Sequence, residues 1–300
     1  MQENPTLSGN YAVGVDIGGS HVCSVVVDVQ TGALLSEPFT TNVDHTESAE
    51  TIFSAWTDNL RHTISSSPVP VRQIGMAFPG PFDYDKGISR LEHKFPDIFG
   101  LNVGEILSAR LLDFRGLSFK YVNDAGAFAL GESLYGAAAE FDRVLVLTLG
   151  TGLGSGFVAD RKIIREGDEV PQGGEVWYLP YGDGIADGKF STRWIVGRYE
   201  QLTGIKVKGA KDVAIRAETD PEARRLFSEF GEGLADFTAP ILRNFKCSSV
   251  LLGGNISRSM DLFLPTMLHK YAKEGMDVKV KASILLDKAA MMGAASLFQK

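Results

Sequence analysis

Two glycine-rich turns carry the residue types that could bind a phosphate chain. The first has the sequence DIGGS at 16–20, and the second has the sequence LGTGLGSG at 149–156. Each follows one apolar run and precedes another, which predicts two hairpins with glycine at their tips. Glycine lets backbone N–H groups approach an anion closely, so two such turns in separate halves of the chain favour opposed loops that close on a polyphosphate. A single turn of this kind would be read as an ordinary tight hairpin.

Two aspartates follow predicted strands and could take part in phosphate chemistry. Asp16 ends the first apolar run, where its carboxylate could bind, through a water, the Mg²⁺ that bridges the phosphates of a nucleotide. Asp124 follows an extended run at 118–122 and begins a predicted helix at 124–135, whose positive end favours an ionised carboxylate. Such a carboxylate can accept a proton from a hydroxyl that attacks phosphorus. Structural roles stay open, since Asp16 could close its turn and Asn123 or Asp124 could cap the helix.

Strand-like and helix-like segments alternate along the whole chain and must position these residues. An apolar stripe at helical spacing predicts a helix over 48–65. The clearest helix is expected over 221–245, with Asp220 as its N-cap. A third extended run is expected over 33–39, and an alanine-rich helix over 287–298. The pattern is that of an α/β protein.

Composition limits the classes of function that the chain can have. A length of 300 residues allows two domains, and a net charge of -7 argues against nucleic acid as the main partner. No apolar stretch approaches the roughly 20 residues that a membrane-spanning helix needs. With Cys23 and Cys247 alone, neither a disulfide framework nor a cysteine-rich metal site is expected. Because residues 1–5 also lack the basic and apolar regions of a signal peptide, a cytoplasmic protein is expected.

Several motifs, taken in order, resemble those of the ROK family (repressors, open reading frames and kinases), within the actin-like ATPase superfamily. They are GVDIGGS at 14–20, FPGPFD at 78–83, NDA at 123–125, GTGLGSG at 150–156 and GGN at 253–255. Each motif is weak alone, but their order and separation together identify the family. The resemblance covers nearly the whole chain, from Val13 to the final helix.

The resemblance implies a two-lobed ribonuclease-H-like α/β fold, as in actin and hexokinase, with a cleft between the lobes. The N-terminal lobe is expected to cover 1–122 and to be joined by the C-terminal helix at 287–300. The C-terminal lobe is expected to cover 123–286. Closure of the lobes would exclude water from the transferring phosphoryl group.

The same resemblance implies ATP and Mg²⁺ as cofactors. The residues expected to bind them are Asp16, Gly18, Gly19, Ser20, Gly150, Thr151, Gly152, Gly154, Gly253, Gly254 and Asn255. Thr151 and its neighbouring amides would hold the β- and γ-phosphates, with Ser20 in the equivalent position on the opposite side. The GGN turn would lie along the adenosine, although an ordinary strand-to-helix turn would also account for it.

The expected sugar pocket departs from the family's pattern. ROK kinases commonly show Gly-Glu-x-Gly-His followed by a cysteine-rich zinc loop, whereas this chain has GEVWY at 174–178 and no Cys or His over 179–193. No zinc site is therefore expected. Glu175 keeps the place of a sugar-hydroxyl ligand, with a solvated loop glutamate as the alternative. Tyr178 could donate to a sugar oxygen in place of the missing His, and Trp177 could stack on a ring face or pack the loop.

Further sugar contacts are expected at Gly80, Asn123 and Asp124. Asp97 is the nearest match to an asparagine of the family that contacts sugar hydroxyls, and Asn102 is the other candidate. Aspartate can accept from hydroxyls but cannot donate, which would suit a different hydroxyl pattern. Lys94 could contact an anionic sugar, but a surface position is expected for it.

The resulting hypothesis is ATP-dependent phosphorylation of a hexose or hexose derivative, at the 6-hydroxyl as in glucokinase, with Asp124 as the catalytic base. The alternative is a non-catalytic, sugar-sensing regulator of the ROK type. Against it, the DNA-binding domain of the family's repressors is not expected before the first motif at Gly14. The expected partners are a small-molecule sugar and ATP, without nucleic acid or membrane, and the family resemblance implies a homodimer.

Overall fold

The computed structural model of the protein describes residues 10–300, so residues 1–5, considered above for a signal peptide, lie outside the described residues. The strands in chain order are β1 (Tyr11–Ile17), β2 (His21–Asp28), β3 (Phe39–Asn42), β4 (Gln73–Phe78), β5 (Phe82–Asp83), β6 (Ile88–Ser89), β7 (Ser118–Asn123), β8 (Arg143–Leu149), β9 (Leu153–Ala159), β10 (Lys162–Ile164), β11 (Pro180–Tyr181), β12 (Gly184–Ile185), β13 (Ser249–Gly253) and β14 (Lys279–Ala282). The α-helices are α1 (Ala49–Ser65), α2 (Val103–Arg110), α3 (Asp124–Tyr135), α4 (Ala186–Lys189), α5 (Thr192–Thr203), α6 (Ala210–Arg216), α7 (Pro221–Asn244), α8 (Leu264–Lys273) and α9 (Ala289–Ala295).

Backbone contacts divide the chain into two compact units. Unit 1 runs to Tyr135 and includes Asp287–Lys300, and unit 2 is Gly136–Leu286. The boundary expected from the sequence lies after residue 122, whereas backbone contacts put α3 in unit 1. The reason is close packing of α3 on α9, because a Cβ at Gly131 would collide with the carbonyl oxygen of Ala289.

Unit 1 is built on a mixed five-stranded sheet with the order β3-β2-β1-β4-β7. Strands β1, β2 and β3 pair antiparallel, while β4 is parallel to β1 and β7 is parallel to β4. The apolar stripe of α1 buries Phe53, Trp56 and Leu60 in the core of this unit. The predicted helix over 48–65 is confirmed, and Ser48 caps it by accepting the N–H of Thr51 at 3.3 Å.

The final helix packs on the middle of this sheet. A Cβ at Gly14 of β1 would collide with the carbonyl of Met291, and a Cβ at Gly75 of β4 would collide with the carbonyl of Ala294. Glycine at both positions therefore lets the backbone of α9 approach the strands. The helix expected over 287–298 is present as α9 flanked by two 3₁₀ turns, Leu286–Lys288 and Ser296–Phe298.

Unit 2 repeats the strand arrangement of unit 1. Its five-stranded sheet has the order β10-β9-β8-β13-β14, with β8, β9 and β10 antiparallel and with β13 and β14 parallel to β8. The core is formed with α7, whose buried side chains include Phe230 and Leu234. The helix expected over 221–245 is thus confirmed, and Asp220 caps it by accepting the N–H of Glu222 at 2.9 Å.

One predicted strand is wrong. The extended run expected over 33–39 contains a single bridge, between Leu34 and Val27, and β3 begins only at Phe39. Two local features explain the break: the hydroxyl of Ser36 accepts the N–H of Val26 at 3.4 Å, and Pro38 has no N–H to donate. Over residues 10–300, no helix is both long enough and apolar enough to cross a membrane.

Candidate active site

Three parallel strands of unit 1 end at the same edge of the sheet and carry four of the predicted site residues there. Asp16 lies near the end of β1, Gly80 follows β4, and β7 ends at Asn123 before Asp124. The register pairs Asp16 with Ala77, and Ala77 with Val122. In open α/β sheets, ligands bind outside the carboxyl ends of the strands. This edge is therefore the candidate site of unit 1.

Asn123, and not Asp124, caps helix α3. The Asn123 side-chain oxygen accepts the N–H of Gly126 at 3.1 Å, and its Nδ2 donates to the Tyr84 hydroxyl at 3.3 Å. That hydroxyl in turn donates to the carbonyl of Phe78 at 3.1 Å, which ties β7 to the end of β4. Asp124 is half-buried, and its Oδ1 accepts the N–H of Ala125 at 2.8 Å. The capping role thus falls to Asn123, and the Asp124 carboxylate stands at the first residue of the helix.

Asp16 is half-buried, and its carboxylate lies among other charges. Burial is the main cause that raises the pKa of Asp16 from its ordinary value to about 7, and the charges of Asp124 and Asp287 raise it further. Lys94 acts in the opposite direction and favours the ionised form of Asp16. The Asp16 carboxylate is thus under the influence of two carboxylates and one ammonium group of unit 1.

Lys94 is half-buried against the first glycine turn instead of lying at the surface as expected. A Cβ at Gly19 would lie 2.9 Å from Cε of Lys94, 3.7 Å from its Nζ and 3.9 Å from Cδ2 of His45. A Cβ at Gly18 would lie 2.9 Å from Cε1 of His21. The turn at 16–20 is therefore flanked by basic side chains, and glycine at 18 and 19 gives them room.

The segment after Lys94 places its two candidate sugar ligands differently. Asp97 is exposed on a 3₁₀ turn, Pro96–Ile98. Asn102 caps α2: its Oδ1 accepts the N–H of Glu105 at 3.1 Å, and its Nδ2 donates to the carbonyl of Lys86 at 3.1 Å. Both ends of the Asn102 amide are thus engaged within the protein, and Asp97 is the candidate that stays available to a ligand.

In unit 2, the second glycine turn joins β8 to β9 and is anchored on both sides. The carbonyl of Gly150 accepts from the N–H of Thr192 at 2.8 Å and from its hydroxyl at 2.9 Å. The N–H of Leu153 donates to Oδ1 of Asp187 at 2.7 Å. Thr151, at the tip, is exposed. The turn is thus held from outside, while its tip faces solvent.

The GGN turn packs against the base of this hairpin. Gly253 ends β13 opposite Thr148 of β8. Gly254 has a φ of +80°, and a Cβ there would collide with the carbonyl of Leu149. Asn255 is exposed beside it. Unit 2 therefore brings its two predicted nucleotide motifs together at the carboxyl ends of neighbouring parallel strands.

The loop at 174–178, called here the acceptor loop, is fastened to β9. The hydroxyl of Ser155 donates to the carbonyl of Gly174 at 2.8 Å and accepts the N–H of Val176 at 3.1 Å. Val176 is buried, whereas Trp177 is 43% exposed and its indole N–H donates to Oε2 of Glu175 at 2.8 Å. Val176 therefore packs the loop, and Trp177 orients the Glu175 carboxylate. The Tyr178 ring meets the Trp177 ring edge-on, with 5.6 Å between centroids.

The Asp16 carboxylate at the unit 1 sheet edge suits a magnesium ion better than a structural zinc ion. Mg²⁺ keeps several waters and takes one or two carboxylates together with substrate phosphates, which suits Asp16. Zinc in structural sites takes four protein ligands. Across residues 10–300, no group of three or more His, Cys, Asp or Glu side chains is arranged to hold a metal ion.

Comparison with known proteins places the chain in a family. A model described as the ROK family matches residues 12–174 and 183–300, so the chain belongs to the ROK family. The unmatched residues between these stretches, 175–182, include most of the acceptor loop. The glucokinase of Thermotoga maritima is 25% identical over 322 residues, covering 96% of this chain and 97% of that protein.

Two solved structures show the fold. The ROK hexokinase from Thermus thermophilus has a TM-score of 0.81 at 24% identity, covering 95% of this chain and 97% of that one. The ROK family glucokinase from Streptomyces griseus, in complex with glucose and AMPPNP, has a TM-score of 0.74 at 25% identity, covering 96% and 98%. The expected ribonuclease-H-like fold, the fold of actin and hexokinase, is confirmed.

Sequence reasoning missed two charged residues of these sites. Asp287 precedes the final helix, where an acidic residue is ordinary, so its charge gives no signal of a site. Asp187 lies in a stretch, 167–189, that has no clear hydrophobic period, so its sequence predicts a loop and gives no signal of a site. The stretch in fact contains β11, β12 and α4.

Proposed function

We propose that this ROK-family sugar kinase transfers the γ-phosphoryl group of ATP to a hydroxyl of a hexose or hexose derivative, with the 6-hydroxyl as the acceptor. The observation that carries the proposal is the placement of Asp124 at the start of α3, at the sheet edge where half-buried Asp16 also lies. The relatives named glucokinase and hexokinase support the class of acceptor.

Asp124 would act as the general base. As the acceptor oxygen forms its bond to the γ-phosphorus, the bond from that phosphorus to the β,γ-bridging oxygen breaks and ADP leaves. The proton of the acceptor hydroxyl passes to the Asp124 carboxylate. Because Asn123 takes over helix capping, the Asp124 carboxylate is not committed to that role, and the positive end of the helix dipole favours its ionised form.

The phosphates would be held by backbone amides with a metal ion. We assign to them Gly18, Gly19 and Ser20 of unit 1 and Gly150, Thr151, Gly152 and Gly154 of unit 2, with Gly253, Gly254 and Asn255 along the adenosine. Asp16 would hold Mg²⁺ through water, and the bound ion would neutralise phosphate charge. Lys94 would keep the Asp16 carboxylate ionised for that role.

The sugar would be recognised by groups that accept from and donate to its hydroxyls. In unit 1 we assign this role to Gly80, Asp97, Asn123 and Asp124, and in unit 2 to Glu175 and Tyr178. Glu175 is the best-supported candidate for a sugar ligand, because the indole N–H of Trp177 donates to one of its carboxylate oxygens at 2.8 Å and so orients the carboxylate. A site built to hydrogen-bond a hydroxyl discriminates against sugars that lack it.

We also propose a cytoplasmic location and a homodimeric state for the protein. A cytoplasmic location would supply ATP and suits a chain with two unpaired cysteines. The homodimer implied by the family resemblance is part of the same proposal, and light scattering on the purified protein would test it.

An ADP-release assay with ATP, Mg²⁺ and a panel of hexoses and N-acetylhexosamines tests the proposed reaction. At least one sugar should give turnover, and ³¹P NMR of the product would show which hydroxyl carries the phosphate. Asp124→Asn should lower kcat by about 10²- to 10⁴-fold, the usual contribution of a general base. Asp85→Asn, an exposed aspartate of the same unit, is the matched control and should leave kcat unchanged. Sugar binding without any ADP release by the wild type would instead support the sugar-sensing regulator.

A further inference from the structure

The carboxylate of Asp187 is in direct contact with the second glycine turn. Its Oδ1 accepts the N–H of Leu153 at 2.7 Å, and a Cβ at Gly152 would lie only 2.6 Å from the same oxygen. The carboxylate thus contacts two successive residues of the turn. A larger residue at 152 would push this carboxylate out of place.

Asp187 is itself held by two further groups. Its Oδ2 pairs with Arg193 at 3.1 Å, and its backbone N–H donates to the carbonyl of Trp177 at 3.0 Å. The Asp187 side chain is 24% exposed, while that of Arg193 is 74% exposed. The backbone of Asp187 is therefore fixed by the acceptor loop, while its side chain bonds to the glycine turn and to Arg193.

The bonds that hold the β8–β9 turn leave backbone N–H groups at its tip without an acceptor among the described residues. Asp187 takes the N–H of Leu153, and Thr192 binds the carbonyl of Gly150. Within the described part of the chain, the N–H groups of Thr151 and Gly152 donate to no protein acceptor. Unpaired backbone N–H groups at a glycine-rich tip form an anion-binding concavity.

A negative charge close to phosphates costs electrostatic energy. The presence of the Asp187 carboxylate beside the β8–β9 turn therefore requires an explanation. A carboxylate also has no proton to donate to a phosphate oxygen. The interaction that the structure shows for it is its bond to the turn, with Arg193 offsetting its charge. A turn that is already rigid in its binding conformation loses less entropy when ligand binds.

We propose that Asp187 is a positioning residue for nucleotide binding, which fixes the β8–β9 turn so that the N–H groups of Thr151 and Gly152 are arranged to receive phosphate oxygens of ATP. The inference rests on the proposed function. It adds that nucleotide affinity depends on the bond between the Asp187 carboxylate and the turn.

The test compares Asp187→Ala with Asp187→Asn, measuring the Kd of Mg²⁺–AMPPNP by calorimetry and the KM values of ATP and sugar. Loss of a hydrogen bond to a charged group should raise the Kd and the KM for ATP about tenfold in the alanine variant. The KM for sugar and the Tm should stay at wild-type values, because the backbone bond to Trp177 is retained. Asparagine keeps an acceptor oxygen for Leu153 and should rescue most of the nucleotide affinity.

Asp183→Ala, an exposed aspartate of the β11–β12 turn, is the matched control and should leave every value unchanged. A second test combines Gly152→Ala with Asp187→Ala. Since the added methyl group acts by displacing the carboxylate, the double variant should lose less nucleotide affinity than the two single losses predict together.

The outcomes separate the two proposals. Equal rises in both KM values with a lower Tm, or no change in nucleotide Kd, would overturn the positioning role while leaving the kinase proposal intact. If the losses of nucleotide affinity caused by Gly152→Ala and Asp187→Ala simply add in the double variant, the positioning role is also contradicted. A wild-type protein that binds no Mg²⁺–AMPPNP would instead defeat the proposed function itself.

Discussion

The carboxylate of Asp16 lies in the electrostatic field of Asp124 at the edge of the unit 1 sheet. Burial raises the pKa of Asp16 to about 7, and the charge of Asp124 contributes to that rise. A proton therefore competes for Asp16 near neutral pH in the absence of a metal ion. Because Lys94 opposes the shift, the charge state of the proposed magnesium position is set by burial together with the charges of Asp124, Asp287 and Lys94.

Asp16→Asn should stabilise the metal-free protein most at alkaline pH. The pKa of Asp16 is higher in the folded protein, about 7, than its ordinary value of 3.8. The stability that its protonated form contributes is thus fully present below pH 3.8 and is lost as the pH rises through 7. Asparagine cannot ionise, so it avoids this loss. In EDTA, the Tm gain of the variant over wild type should be larger at pH 8 than at pH 5 by about 5 °C.

Differential scanning fluorimetry at the two pH values measures this difference. Asp85→Asn, on the exposed surface of the same unit, should show no such dependence on pH. A Tm change in Asp16→Asn that is the same at pH 5 and pH 8 would show that the Asp16 carboxylate titrates as an ordinary aspartate.

Lys94→Met should shift the acidic limb of the activity profile towards higher pH. Lys94 lowers the pKa of Asp16, so its removal makes the carboxylate hold its proton to a higher pH. Activity at pH 6 should fall about fivefold more than activity at pH 8, since a charge at a half-buried site is worth roughly 1 kcal/mol. Lys94→Arg should keep the wild-type profile. Lys86→Met, an exposed lysine, serves as control, and a uniform loss at all pH values would rule out this electrostatic role.

Trp177→Phe tests whether the indole orients Glu175 for sugar binding. Phenylalanine keeps an aromatic ring but loses the N–H that donates to Glu175 at 2.8 Å. The KM for sugar should rise about fivefold, the usual effect of losing one hydrogen bond, with the KM for ATP unchanged. Glu175→Gln should have the larger effect, because it also removes the charge. Glu166→Gln is the exposed control, and parallel changes in both KM values would contradict a role in sugar recognition.

Local signals in the sequence predicted the elements well and the charged neighbours of the site poorly. Helices α1 and α7 were predictable because Ser48 and Asp220 cap them and their apolar residues recur at helical spacing. Lys94 meets Gly19, and Asp187 meets Leu153, only because distant segments fold together. Neither the hydrophobic periodicity nor the composition near residues 94 and 187 predicts these two contacts. The motif residues Asp16 and Asp124 stood out because Asp16 lies near the end of a strand and Asp124 directly follows one.

A pair of helical glycines separates close packing from helix propensity. Gly131 of α3 faces α9, where a Cβ would collide with the carbonyl of Ala289, whereas Gly197 of α5 has open space around it. Gly131→Ala should therefore destabilise the protein by about 3 kcal/mol, the cost of overpacking against backbone that cannot move aside. Gly197→Ala should stabilise it by up to about 1 kcal/mol, since alanine is the better helix former. Urea unfolding measures both changes, and insolubility of Gly131→Ala beside a soluble Gly197→Ala would agree with them. An undiminished unfolding free energy in Gly131→Ala would mean that α3 and α9 do not pack as closely as described, and the assignment of α3 to unit 1 would then lose its physical basis.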